Sequence, residues 1–153
     1  LLETWSDDWN NIIRDIIFPD EELKRLMLVP QGTSILDFIG KYFIRAGYTN
    51  TLLEHEDVRV IYGFVSEGSA GTENTTNNVL SFDIYVKHEH LHDADRDRMR
   101  YRTELIARRL HKLLTAQRYN AGYRFWIDGE DDKGTRTTGY ARYGLRLRFI
   151  KVY

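Results

Sequence analysis

Residues Val79–His92 read VLSFDIYVKHEHLH, and the point at which this stretch stops being a strand decides the fold. Leu80, Phe82, Ile84 and Val86 alternate with Ser81, Asp83, Tyr85 and Lys87, the period-two pattern of a strand with one face in a core. The next five residues, His88-Glu89-His90-Leu91-His92, spell HExxH. On a helix that spelling sets two histidines on one face to grip zinc while the glutamate activates a water. Here the strand runs directly into His88, and Asp93 with the acidic residues after it marks a helix start, so the motif is expected on a strand end or turn. The zinc-peptidase extension is also missing: Asp95 and Arg98 stand where that pattern has glycine and histidine. No catalytic zinc is expected. His88, His90 and His92 share one face only if the strand stays extended, which leaves a structural metal open beside the plainer reading of three solvated histidines.

Working upstream, VRVIYGFV from Val58 is β-branched and aromatic and reads as a buried strand. It pairs naturally with VLSFDIYVK through EGSAGTENTTNN, a Glu67–Asn78 segment too polar to bury itself and expected to be a long mobile hairpin loop. The chain before it is helical in pattern. Trp5, Trp9, Ile12, Ile13, Ile16 and Ile17 recur at three- and four-residue spacing up to Pro19. Asp20 is placed to cap a short second helix, and Thr33 or Ser34 a third, whose stripe is Ile35, Leu36, Ile39, Tyr42 and Phe43 and whose stop is Gly47. Downstream, a long helix is expected from Asp93 to about Arg118, with Met99, Ile106, Leu110, Leu113 and Leu114 toward the sheet and its charges ordered along the macrodipole. YRFWIDG and GYARYGLRLRFIKVY complete the sheet as a hairpin about the DGEDDKGTRTT loop, with Leu145, Leu147 and Phe149 on one side and Arg142, Arg146 and Arg148 on the other. The expected class is α+β: a single domain over 1–153 with a mainly antiparallel four-stranded sheet, one long helix packed on a face, and an N-terminal helical segment over 1–30.

Composition narrows function by exclusion. The 153 residues carry a net charge of −1, so no whole-chain field draws the protein to nucleic acid or membrane. With no cysteine, neither disulfides nor thiolate metal sites are available. The start LLETWSDDW has no signal-peptide pattern, which sets an expectation of cytoplasm-like conditions. The acidic run Asp128, Glu130, Asp131, Asp132 lacks the ligand spacing of a calcium loop. Arginines on the long helix, including Arg108 and Arg109, and the strand arginines Arg142, Arg146 and Arg148 are read as intersubunit salt-bridge partners in preference to DNA contacts. No nucleophile elbow, phosphate-cradling glycine loop or paired catalytic carboxylate is recognisable, so no enzymatic activity and no cofactor are expected. The competing classes are a metal hydrolase at His88, Glu89 and His92, and a DNA-binding adaptor.

The order of elements carries a resemblance. Helices, then the pair VRVIYG and FDIYVKH divided by a polar loop, then one long helix, then a terminal hairpin ending in RYGLRLRFIKVY resemble the tail terminator or tail-completion proteins of long-tailed bacteriophages over roughly 35–153. The resemblance implies a structural virion protein. Its homohexameric ring would sit at the head-proximal end of the tail tube, end tube growth and join the neck. The implied partners are other copies of the chain, the tail tube protein and a neck or stopper protein, with the sheath as a further contact and DNA met only in passage through the ring. A head-completion stopper or another neck connector is the alternative. Residues 1–30 are then expected as a docking segment, and Glu67, Gly68, Thr72, Asn74, Arg108, Arg109, Asp131, Asp132, Arg142, Arg146 and Arg148 as contacts between subunits or with partners. The expected location is the virion neck, after assembly in the host cytoplasm.

Overall fold

The computed structural model describes residues 2–47, 57–67, 77–93, 97–116, 123–134 and 139–151. The chain opens with helix α1, Leu2–Ile12, which widens into a π-helical turn over Ile13–Ile17 before Pro19. Asp20 then caps α2, Glu21–Leu26, by accepting a 2.8 Å hydrogen bond from the Leu23 amide. Ser34 caps α3, Ile35–Asp37, in the same way at 3.2 Å. Both caps use a side-chain oxygen to satisfy one of the amides that every helix start leaves free.

The third helix departs from expectation. It turns π-helical over Phe38–Tyr42 and passes into a short strand, β1, Phe43–Arg45. The wider turn rotates the apolar stripe: Phe38 and Tyr42 are buried, whereas Leu36 is 74% exposed and Ile39 37%. Strand β1 pairs in parallel with β2, Val58–Glu67, through Phe43↔Val60 and Ile44↔Ile61. β2 is antiparallel to β3, Asn77–Lys87, and β3 to a later strand, β7, Tyr140–Lys151. β7 pairs on its other side with β6, Tyr123–Gly134. The sheet is therefore five-stranded and mixed, in the order β1-β2-β3-β7-β6, and the expected four-stranded antiparallel sheet gains a parallel edge.

The second correction concerns the expected long helix. Instead of beginning at Asp93, the chain forms a two-stranded ribbon, β4 (His92–Asp93) with β5 (Asp97–Tyr101), and helix α4 covers only Arg102–Thr115. Met99, expected on the buried stripe, is 93% exposed on β5, while Ile106, Leu110 and Leu114 are fully buried. Arg96, Arg98, Arg100 and Arg102 recur at every second position, which is strand spacing rather than helix spacing. The polar segments also shrink. Glu67 pairs with Asn77, and Ser66 with Asn78, at the ends of β2 and β3. Asp131 and Asp132 pair with Gly144 and Tyr143 inside the hairpin strands. The expected loops thus reduce to 68–76 and 135–138, which lie outside the described residues, and the expected mobility of the first falls there too.

Alternation along the strands sends Leu80, Phe82, Ile84, Val86, Leu145, Leu147 and Phe149 into one hydrophobic cluster beneath the helices. Trp9 anchors α1 there, 5.4 Å from Tyr62, 5.7 Å from Phe64 and 6.3 Å from Phe43 between ring centroids. The buried side of the 1–30 segment, including Ile12, Ile13, Ile17, Leu23, Leu26 and Met27, belongs to that same cluster.

One ionic group sits under the α2–α4 junction. The Asp93 side chain is 1% exposed and lies 2.9 Å from Arg25 Nη2 and 3.9 Å from Arg102 Nη2. Arg102, itself buried, also donates from Nε to the His90 carbonyl at 2.8 Å and from Nη1 to the Leu26 carbonyl at 3.0 Å. Removing one partner of a buried pair leaves the other charge desolvated and uncompensated, which costs about 3–5 kcal/mol. Urea unfolding should show a loss of that size for Arg25→Met, which strands the 1%-exposed Asp93 carboxylate, and a smaller one for Asp93→Ala, because the Arg25 side chain, 28% exposed, can turn to water. Equal losses in the two variants would remove Asp93 from this central role.

Candidate functional site

The face of the sheet turned away from the helices carries the strand arginines singled out by the sequence. In β3 and β7 the residues alternate with the core set, so Ser81, Asp83 and Tyr85 share that face with Arg142, Arg146 and Arg148. Arg142 and Arg148 are neutralised within the chain. Arg142 Nη2 is 3.1 Å from Asp83, its guanidinium carbon 5.6 Å from the Tyr85 ring centre, and Arg148 Nη2 is 3.1 Å from Asp128. Arg146 extends over Gly129, where a Cβ would meet its Nη2 at 3.2 Å. Small residues keep the surface low beside it, and Ser81, Asp83, Gly129, Asp131, Gly144 and Arg146 line a shallow depression.

Sequence reasoning missed one charge on this face. Arg59 is hidden in the apolar run VRVIYGFV, stands opposite Tyr85 in the β2–β3 ladder, and is only 5% exposed. Its Nε meets no hydrogen-bond acceptor, and neither does the Nε of Arg142 on the other side of Tyr85. The period-two placement of Arg59 among Val58, Val60 and Tyr62 was the available signal. Its burial was not readable, because it depends on what packs around the strand.

The acidic run lies on edge strand β6, beside β7, where Glu130 and Asp131 line the same depression as Asp83 and Arg146. Register shifts occur at Ile127/Gly129 and Asp132/Gly134, and Glu130 and Asp131 are exposed between them. Bulges and charge together discourage a second strand from adding along this edge.

The helix arginines behave differently from expectation. Arg109 is bound within the chain by Asp20, through hydrogen bonds of 2.8 Å from Nε and 2.6 Å from Nη2. The intersubunit salt bridge expected of it therefore competes with an existing bidentate contact. Arg108 pairs one helical turn back with Glu104 at 3.0 Å and stays exposed. Both line a second depression between α2 and α4, with Glu22, Arg25, Asp93 and Lys112. Of the loop contacts expected, Gly68, Thr72 and Asn74 lie outside the described residues, and Glu67 is placed only as the last residue of β2.

The HEHLH motif forms one 3₁₀ turn, His88–His90, followed by a bend at Leu91 and strand at His92. His88 and His92 are not an α-helical i, i+4 pair, and the extended geometry that would align all three histidines ends at Lys87. Among the described residues no helix is long and apolar enough to cross a membrane. Compared with protein-family models and curated proteins, the chain matches neither a family nor a relative.

The Asp20–Arg109 contact has a readable pH signature. Burial alone raises the Asp20 pKa, but hydrogen bonds from Arg109 and the Leu23 amide, with the charges of Arg109 and Lys112, hold it below its ordinary 3.8. A depressed folded-state value means the contribution is complete above the unfolded pKa and is lost as pH falls through the folded one. Asn still caps a helix, so Asp20→Asn isolates the ion pair. The stability gap between wild type and Asp20→Asn, from denaturant titrations, should stay constant at pH 6–8 and narrow below about pH 4. A gap that widens in acid contradicts this assignment.

Proposed function

We propose that the chain is a structural subunit of a bacteriophage neck, forming a ring at the head-proximal end of the tail that ends tube growth and joins the tail to the neck. The observation that carries the reading is the order of elements, helices followed by a strand pair, a helix packed on the sheet and a long closing hairpin, which resembles that of tail terminator proteins. Ring size comes from the same resemblance, which implies six copies. Its partners are copies of itself, the tail tube protein and a neck protein.

The charge distribution supports a head-to-tail contact. Arg59 and Arg142 flank Tyr85 with buried Nε atoms that meet no acceptor, whereas Glu130 and Asp131 are exposed on edge strand β6. Arg142 already pairs with Asp83, so Arg59, buried with its Nε lacking an acceptor, is the guanidinium that favours a carboxylate brought to it. Two unlike surfaces on different parts of one subunit are what a closed ring uses repeatedly. In this arrangement the sheet supplies the subunit contact, and Arg109 stays with Asp20.

Imaging of virions should place the chain as a ring between tail tube and neck, and tubes assembled with the purified protein should end in that ring. The paired substitution Glu130→Lys and Asp131→Lys should leave the subunit folded by circular dichroism while abolishing rings and lowering the yield of joined particles. Absence of the chain from virions, a position away from the neck, or normal particles from the charge-reversed variant would overturn the proposal.

A further inference from the structure

The turn that fails as a zinc-peptidase helix assembles a different set of ligands. Glu89 and His90 from the 3₁₀ turn meet Asp57, the residue just before β2, so that one ligand atom of each lies within 4.8 Å of the others. His90 Nε2 is 3.3 Å from Asp57 Oδ2 and 3.5 Å from Glu89 Oε1. Ligands at ~2.1 Å from a tetrahedral ion are ~3.4 Å apart, the edge of that tetrahedron. The two separations to His90 fall on either side of that edge, and the two carboxylates lie within 4.8 Å of each other. Rotation of the partly exposed Glu89 and Asp57 side chains therefore brings all three ligands onto one ion and leaves its remaining position to water. From these distances we infer that Asp57, Glu89 and His90 form a surface binding site for a first-row divalent cation of the zinc type. The inference is independent of where the protein assembles.

Chemistry and backbone both fit that ion. One imidazole and two carboxylates, with no thiolate in the chain, suit zinc, cobalt or nickel better than calcium, which takes six to eight oxygens. The ligand backbone is held before any ion arrives. The Lys87 amide donates to the Asp57 carbonyl at 2.9 Å, and the His88 amide to the Gly139 carbonyl at 3.0 Å. The His90 carbonyl accepts from Arg102 Nε at 2.8 Å. Fixing ligands beforehand reduces the ordering cost of binding.

Lys87 works against the ion. Its Nζ lies 3.1 Å from Asp57 Oδ1, which leaves Oδ2 to the site but adds a positive charge beside it. The side chains are partly exposed, 37% for His90, 44% for Asp57 and 68% for Glu89, so an ion exchanges directly with solvent. When bound, it fastens the start of β2 to the turn where β3 leaves the sheet.

Calorimetric titration of the chelator-treated full chain with zinc tests the site, with cobalt absorption as a readout of coordination. Wild type should bind one ion. The double variant His88→Ala, His92→Ala should bind as wild type does, because neither histidine belongs to the ligand set. Outer-sphere substitutions at metal sites cost roughly 10–100-fold, so losing a direct ligand in His90→Ala or Asp57→Asn should weaken binding by more than ~100-fold. Lys87→Gln should strengthen it by removing the competing ammonium group, an effect that a plain surface ion pair does not produce. Circular dichroism checks that each variant is folded. Wild-type binding weaker than ~1 mM, unchanged binding by His90→Ala, or loss of binding in the His88→Ala, His92→Ala double variant would overturn the assignment.

Discussion

The buried carboxylate of Asp93 is the constraint around which the helical layer is arranged. A carboxylate at 1% exposure is tolerated only where cations and hydrogen-bond donors replace its water. Arg25 comes from α2 and Arg102 from the first position of α4, so the requirement joins two helices that are distant in sequence. Arg102 then spreads the constraint further by holding the Leu26 and His90 carbonyls. Its own amide donates to the Leu91 carbonyl at 2.6 Å, which satisfies a helix-start amide that Tyr101 does not cap. With the amides of Lys87 and His88 taken by Asp57 and Gly139, and the carbonyls of His90 and Leu91 taken by Arg102, the HEHLH backbone has commitments that an α-helix would have to break.

That network explains why the middle of the chain was the least legible part of the sequence. Period-two alternation from Leu80 to Val86 and from Leu145 to Phe149 identifies strands and their buried faces, because burial on one face is a local pattern. The capping roles of Asp20 and Ser34 are local as well. Asp93 reads locally as a helix start, yet its partners lie at Arg25 and Arg102, and no spacing rule connects positions 25 and 93. Strand β1 was hidden for a related reason. The π-turn over Phe38–Tyr42 shifts the helical phase before Phe43, so a stripe drawn at ordinary helical spacing runs through Leu36 and Ile39 and misses Phe38.

Charges were visible in the sequence, and their pairings were not. Arg109 meets Asp20 across 89 positions, so its commitment within the chain follows from tertiary packing alone. Arg59 sits in an apolar run that announces a strand, and its significance comes from being buried there. Of the residues grouped around the 3₁₀ turn, Glu89 and His90 were conspicuous, whereas Asp57 enters only through the β2–β3 pairing that sets Val58 opposite Val86. The broad α+β class is thus written in local periodicity, and the candidate sites are written in contacts between elements.

The placement of β7 bears on how the chain is made. β7 lies between β3 and β6 in the sheet, but it is synthesised after both. While it is still absent, β2 and β3 can pair as a hairpin, yet the far edge of β3 has no neighbour and its Leu80, Phe82 and Ile84 row lacks Leu145 and Leu147 beside it. Such an edge is open to pairing with another nascent chain. Closing the sheet then requires contacts between segments some 70 positions apart, as in Asn78↔Phe149, and non-local pairing of this kind slows folding. On a polysome crowded with copies of the same message, the interval between emergence of β3 and arrival of β7 is the period in which this protein is most exposed to aggregation.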